Sequence, residues 1–275
     1  MRVSVFVFAV SVVALVAGAD IAEEAWRAKQ LAPEAARTLA ARRIAGLSKI
    51  IGGHSVEVAS FPFQLSLRSN GYHICGASVI SRSWALTAAH CLFPSRDPKT
   101  ITFRAGSSHR QNGGRLHVAT EIVLHPEYNP ALFDNDVALV RVQQPFVGPD
   151  VEAILPVPEN YEPVIGMRTL VLGWGRTLVH TDLPDQLQAV EVPIVAKNAC
   201  AKLWSVDLLT SNMICAGQIG RDSCNGDSGG PLVAGGYQIG VVSWGSTDCG
   251  GPMPAVYTHL GQPSVRRFIS QIAGV

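Results

Sequence analysis

From Ile50 onward the apolar residues come in short runs separated by glycine and proline, and several runs carry the two-residue period of a half-buried sheet. Phe63-Gln64-Leu65-Ser66-Leu67-Arg68 shows it most plainly, with every second side chain apolar. Runs of the same kind predict strands over Ile101 to Ala105, Val137 to Val142, Thr169 to Leu172, Ala189 to Val195, Tyr237 to Trp244 and Ala255 to Thr258. Only the end, about Pro263 to Ile272, reads as helix. Many short strands with turn residues between them predict an all-β sandwich or barrel. There is no internal repeat, and no low-complexity tract outside residues 20–49.

The first 49 residues have a different texture. Arg2 precedes an apolar run from Val3 to Val16, and Ala17-Gly18-Ala19 supplies small residues before a cut. The run is shorter than the roughly 20 residues that span a bilayer, so residues 1–19 are expected to be a cleaved signal peptide and the product a secreted protein without a membrane anchor. Residues 20–49 are rich in alanine and charge and loosely helical in period, with Trp26, Leu31 and Leu39 among their large apolar positions, and end at Lys49.

Composition narrows the classes. The chain has 22 Lys+Arg against 21 Asp+Glu; seven of those bases and four of those acids precede Ile50, leaving residues 50–275 at a net charge of −2 with histidine neutral. No basic block or aromatic-basic patch suggests nucleic acid. All six cysteines, Cys75, Cys91, Cys200, Cys215, Cys224 and Cys249, lie after Ile50. An even count behind a signal peptide fits disulfides, spacing alone allows about 15 pairings, and no Cys-x-x-Cys or close Cys/His cluster has metal-ligand spacing. There is no Asn-x-Ser/Thr sequon.

The chemistry gathers in three segments. Arg221-Asp222-Ser223-Cys224-Asn225-Gly226-Asp227-Ser228-Gly229-Gly230-Pro231-Leu232 sets Ser228 among glycines. A serine hydroxyl is a weak nucleophile that needs a base and amide donors for the oxyanion it creates, and the amides of Gly226 and Ser228 are suited to that. Alone, the run is equally a glycine-rich turn with an incidental serine. Thr87-Ala88-Ala89-His90-Cys91 and Asp134-Asn135-Asp136-Val137-Ala138-Leu139-Val140 supply a histidine and an aspartate, each unremarkable by itself. Together, in the order His90, Asp136, Ser228, they resemble the trypsin and chymotrypsin family of serine proteases, over Ile50 to about Phe268.

That resemblance implies two six-stranded antiparallel Greek-key barrels with a C-terminal helix, a crossover near residues 145–163, and a site in the cleft between the barrels. It implies His90 as general base and acid, Asp136 as its partner and Ser228 as nucleophile. It implies the disulfides Cys75–Cys91, Cys200–Cys215 and Cys224–Cys249. Lys49-Ile50-Ile51-Gly52-Gly53 is similar to the family's activation site: residues 20–49 would be a propeptide, residues 50–275 the protease domain, and the new Ile50 ammonium would pair with Asp227. Asp222 matches the carboxylate at the pocket base of trypsin-like members, where it would pair with substrate Arg or Lys. Ser223 and Tyr257 would line that pocket, and Ser243-Trp244-Gly245 resembles the substrate-binding strand.

Two departures bear on specificity. Ala255 stands where trypsins carry glycine, and the loop from Ser243 to Cys249 is one residue longer. The methyl leads us to expect cleavage after Arg, with Lys weaker. The loop Ser107 to Gly113 lacks the acidic residues that hold calcium in vertebrate trypsins, so neither metal nor cofactor is expected. Protein or peptide substrates, proteinaceous inhibitors and a monomeric enzyme resembling invertebrate gut-type trypsins complete the expectation. The alternatives are a chymotrypsin- or elastase-like pocket on the same fold, favoured by Ala255 and the longer loop and opposed by Asp222, and a non-catalytic homologue acting as a binding protein, opposed by the intact triad.

Overall fold

The computed structural model describes residues 52–95, 97–177 and 183–275; the expected signal peptide and propeptide, with Lys49 and Ile50, lie outside them. Among the described residues thirteen strands run in chain order: β1 (His54–Ser55), β2 (Gln64–Ser69), β3 (Tyr72–Val79), β4 (Trp84–Thr87), β5 (Ile101–Ala105), β6 (Arg115–Leu124), β7 (Ala138–Val142), β8 (Arg168–Gly173), β9 (Gln188–Val195), β10 (Met213–Ala216), β11 (Pro231–Ala234), β12 (Tyr237–Trp244) and β13 (Ala255–His259). The first barrel closes in the order β2-β3-β4-β7-β6-β5, with Ser66 facing Arg104 where β5 returns to β2. The second runs β9-β10-β13-β12-β11-β8 and closes through β8 on β9, Leu170 facing Glu191, while β1 adds to the outer edge of β9. The two six-stranded antiparallel barrels are therefore those the resemblance implied.

Alternation explains the first barrel's interior. Leu65 and Leu67 of β2, Ala77 and Val79 of β3, Phe103 of β5 and Val140 of β7 form one cluster. The alternate residues of β4 and β7, Leu86 and Leu139, are equally buried, because they enter a second cluster shared with Val171, Leu232, Val241 and Tyr257 of the other barrel. Strands covered on both sides read as continuous apolar runs, which is why Val137 to Val142 has so little polar character. The chain between β7 and β8 crosses from one barrel to the other and is pinned to both, with Ile154 N–H donating to Val79 O at 2.9 Å and Val157 N–H to Gln238 O at 3.0 Å.

Two α-helices are present among the described residues, α1 (Lys197–Trp204) and α2 (Pro263–Ala273). The second was expected; α1 corrects the reading that only the end is helical. Within α1 only Cys200 is buried and no side chain caps its start, so it has neither an apolar stripe nor an N-cap signature. It is held from outside, by the Cys200–Cys215 disulfide and by Trp204 Nε1–H donating to Pro254 O at 2.8 Å. Strands β1, β3, β4, β6, β10 and β11 also escaped the sequence pattern. Among the described residues no helix is long and apolar enough to cross a membrane.

All three disulfides join the expected partners, Cys75–Cys91, Cys200–Cys215 and Cys224–Cys249. Loops of 16, 15 and 25 residues are closed, each stabilising by roughly 3 kcal/mol. In the loop after Gly106, Arg104 donates to the carbonyls of Gly113 and Gln111, and Ser107 Oγ to Asn112 O at 2.7 Å. That loop is organised by a guanidinium and a hydroxyl.

Candidate active site at the barrel junction

His90 sits in a single 3-10 turn directly after β4, and Cys91 beside it is tied to β3. Asp136 lies just before β7, which pairs with β4 so that Thr87 faces Ala138. This register brings the two side chains together. His90 Nδ1 is 2.7 Å from Asp136 Oδ2, and the His90 backbone N–H donates to Oδ1 at 2.9 Å. Asp136 is fully buried, and a buried carboxylate persists only when its lone pairs are satisfied. The second barrel supplies the rest: Ser243 Oγ donates to Oδ2 at 2.5 Å, and Thr258 Oγ1 to the Asp136 carbonyl at 2.9 Å. Ser243 occupies a bulge where the β12–β13 register shifts between Val242 and Trp244, the kind of irregularity that re-aims a side chain. With Nδ1 donating to the carboxylate, Nε2 is left as the acceptor.

Ser228 comes from the other barrel, on the loop before β11, and is half-buried. Glycines let this loop approach the first barrel. A Cβ on Gly229, at φ +78°, would stand 2.2 Å from Thr87 Oγ1 and 2.5 Å from Gly76 O, and one on Gly76 would stand 2.8 Å from Gly230 Cα. Gly76 N–H donates to Ser228 O at 2.7 Å, and Thr87 Oγ1 to Gly76 O at 2.8 Å, so the serine's own peptide is bonded to the strands that carry His90. His90 Nε2 makes no hydrogen bond to Ser228; Cys91 Sγ lies 3.8 Å from it. The Gly226 and Ser228 amides have no acceptor among the described residues. Cys75, His90 and Cys91 place ligand-type atoms close together, but both sulfurs are consumed in a disulfide.

Asp227, beside Ser228, is fully buried. Gly175 N–H donates to its Oδ1 at 2.7 Å and Cys224 N–H to its Oδ2 at 2.9 Å. Gly173 and Gly175 leave the room it needs, since a Cβ on either would fall within 2.2 Å of its carboxylate. Burial pushes its carboxyl up to about 6, against the opposing hydrogen bonds from Cys224 and Gly175. Among the described residues no cation pairs with it.

Asp222 occupies a similar state. It is buried, accepts from Ser223 N–H at 2.9 Å and Gly250 N–H at 3.3 Å, and burial pushes its carboxyl up to about 7 against the amides of Gly250, Ser223 and Ala255. Tyr257 donates its hydroxyl to Ser223 Oγ at 3.3 Å. Ala255 faces Gly245: a Cβ on Gly245 would lie 3.6 Å from the Ala255 methyl, in ordinary contact. Cys224–Cys249 ties the walls on either side. Trp244 packs edge-on against Trp204 with centroids 5.0 Å apart.

The structure thus brings His90 and Asp136 together at the junction of the barrels, with the Ser228 peptide bonded to Gly76 of β3, and links Asp222 to Ser223, Ser223 to Tyr257, and Ala255 to Gly245. Sequence reading missed Phe133, whose ring stands edge-on to His90 at 5.5 Å, and Trp204, which packs on Trp244. Phe133 adjoined the Asp134-Asn135-Asp136 motif and was the nearest large apolar side chain; Trp204 carried no local signal.

Two closed antiparallel barrels with a histidine and buried aspartate at their junction define the class of two-barrel serine endopeptidases. A family model described as trypsin matches residues 50–266. The chain is 39% identical over 218 residues to a trypsin of Phaedon cochleariae, covering 77% of this chain and 84% of that protein. It is 39% identical over 228 residues to a vitellin-degrading protease of Bombyx mori (81% and 85%) and 38% identical over 218 residues to cationic trypsin-3 of Rattus norvegicus (77% and 85%). The chain belongs to the trypsin family and is a serine endopeptidase.

Proposed function

We propose that the protein is a secreted zymogen, activated by cleavage after Lys49, that hydrolyses protein chains after Arg and more slowly after Lys. The observation that carries the specificity is Asp222: a buried carboxylate held by amide donors, with no cation beside it among the described residues. Such a group is costly unless a partner arrives, and a guanidinium supplies two parallel N–H donors. The Ala255 methyl, in the space shared with Gly245, leaves less room for the bridging water that a shorter ammonium needs.

Catalysis follows from the residues at the junction. Ser228 Oγ attacks the scissile carbonyl while its proton passes to His90 Nε2; the oxyanion is held by the amides of Gly226 and Ser228. Asp136, fixed by His90, Ser243 and Thr258, keeps Nδ1 protonated and stabilises the imidazolium. His90 then gives the proton to the leaving amine, the C–N bond breaks, and water attacks the acyl-enzyme by the reverse sequence. In the uncut chain Asp227 has no cation partner among the described residues; the Ile50 ammonium freed by cleavage supplies one, and the pairing orders the loop that carries the oxyanion amides. Proteinaceous inhibitors would occupy the same cleft, and the enzyme would act as a monomer.

The test is kcat/KM for matched peptides differing only in Arg, Lys or Phe before the scissile bond, on protein verified to begin at Ile50. Arg above Lys, with Phe lower by two orders of magnitude or more, is expected. Preference for Phe would remove Asp222 from the pocket chemistry.

A further inference from the structure

The turn that delivers Asp136 is held by the opposite barrel. Phe133 and Asn135, on either side of Asp134, both have left-handed backbones, at φ 54° and 50°. That conformation is unfavourable for a residue with a Cβ, and most of all for a bulky one such as phenylalanine, so it persists only where surrounding contacts over-determine it. Side-chain bonds to Asp134 and Asn135 supply those contacts. Asp134 Oδ1 accepts from Thr210 Oγ1 at 2.5 Å and from Asn212 Nδ2 at 3.1 Å. Thr210 and Asn212 belong to the segment between α1 and β10, so these bonds join residues 76 and 78 positions apart across the barrel boundary. Asn212 Nδ2 also reaches Asn135 Oδ1 at 3.1 Å, and Ser264 Oγ on α2 donates to that same oxygen at 3.0 Å. Lys197 Nζ adds a further hold on Thr210 by donating to its carbonyl.

Two features of the site depend on this turn. It places Phe133 edge-on to His90, and it sets the position of Asp136, whose two oxygens receive the His90 side chain and backbone. We propose that Asp134 is a positioning residue for catalysis: clamped by Thr210 and Asn212, it holds the strained turn that presents Asp136 to His90. The proposal rests on the reading of His90, Asp136 and Ser228 as the triad. Asp134 touches no reacting atom; its effect passes through Asp136, which gives it a signature that general stabilisation lacks.

The experiment measures kcat and KM on an arginyl peptide, with protein that begins at Ile50 and is normalised by active-site titration. Asp134→Ala is expected to lower kcat by about 10-fold to 100-fold with KM within about twofold, the loss of a charge-assisted pair of hydrogen bonds. Asp134→Asn, which keeps an acceptor oxygen for Thr210 and Asn212, should stay within about threefold of the parent. In an Asp136→Asn background, Asp134→Ala should cost less than about twofold more, because the partner it positions is already impaired. Equal losses in both backgrounds, an unchanged kcat, or a loss carried by KM would overturn the proposal while leaving the triad intact. Parental kcat in Asp136→Asn alone would overturn the triad reading and this proposal with it. Thr210→Val and Asn212→Ala cover the case in which Asp134→Ala fails to fold: each should lower kcat about threefold to tenfold, and parental kcat in both would refute the clamp.

Discussion

If Asp222 is the cation receptor, binding an arginine-like head must be coupled to its ionisation. Burial pushes its carboxyl up to about 7, whereas a guanidinium or amidinium at bonding distance stabilises the charged form. The sign follows: a raised value means the ionised form is lost as pH falls below 7, and the ligand must then displace a proton. From pH 7 to pH 5 the affinity should fall about tenfold per unit, about 100-fold or roughly 2.7 kcal/mol in all. Above pH 8 it should level off. The assay is calorimetric titration with benzamidinium, a planar amidinium with no scissile bond, in two buffers of different ionisation enthalpy at each pH. Proton release close to one per ligand is expected at pH 5.5 and close to zero at pH 8.5. Asp222→Ser should abolish the slope and weaken binding at pH 8 by at least about 100-fold, a lost charge-assisted pair. Affinity that stays flat from pH 5 to 8, or a slope that survives in Asp222→Ser, would refute the reasoning.

Other consequences are as definite. Ala255→Gly should raise lysyl relative to arginyl kcat/KM by about threefold to tenfold, by readmitting a bridging water; an unchanged ratio would free the methyl of any role. Asp227 has a raised value of about 6 in the folded chain. Its folded state is therefore favoured most below the unfolded value and loses about 3 kcal/mol as pH rises through 6. If cleavage after Lys49 supplies the proposed cation, this loss is removed, and urea unfolding should show the cut protein gaining stability over the uncut chain between pH 4 and pH 7; a gap independent of pH would contradict the pairing. Arg104→Ala should destabilise by about 1 to 3 kcal/mol by stripping Gly113 and Gln111 of their donor, whereas a chelator should leave the melting temperature of the parent unchanged.

The strands that were legible in the sequence are those with one clean face or an unbroken apolar run: Ile101 to Ala105 and Tyr237 to Trp244 match β5 and β12 residue for residue. Strands such as β10 (Met213–Ala216) are too short to carry a period, and α1 owes its helical state to a disulfide and to Trp204, contacts that local spacing does not encode. The site divides in the same way. His90, Asp136, Ser228 and Asp222 stand in dense local motifs. The clamp on Asp134 is built from Thr210, Asn212 and Ser264, scattered far along the chain, and becomes visible only when the barrels meet. Phe133 shows the boundary well: nothing about its type predicts a left-handed backbone, which is set by bonds from its neighbours.

Protein verified to begin at Ile50 is treated with a fluorophosphonate that modifies activated serines, and the adduct is located by mass spectrometry, with His90→Ala treated in parallel. A stoichiometric adduct on Ser228 that disappears in His90→Ala is the expected result. An unmodified Ser228 in the parent, or modification that persists without His90, would contradict it.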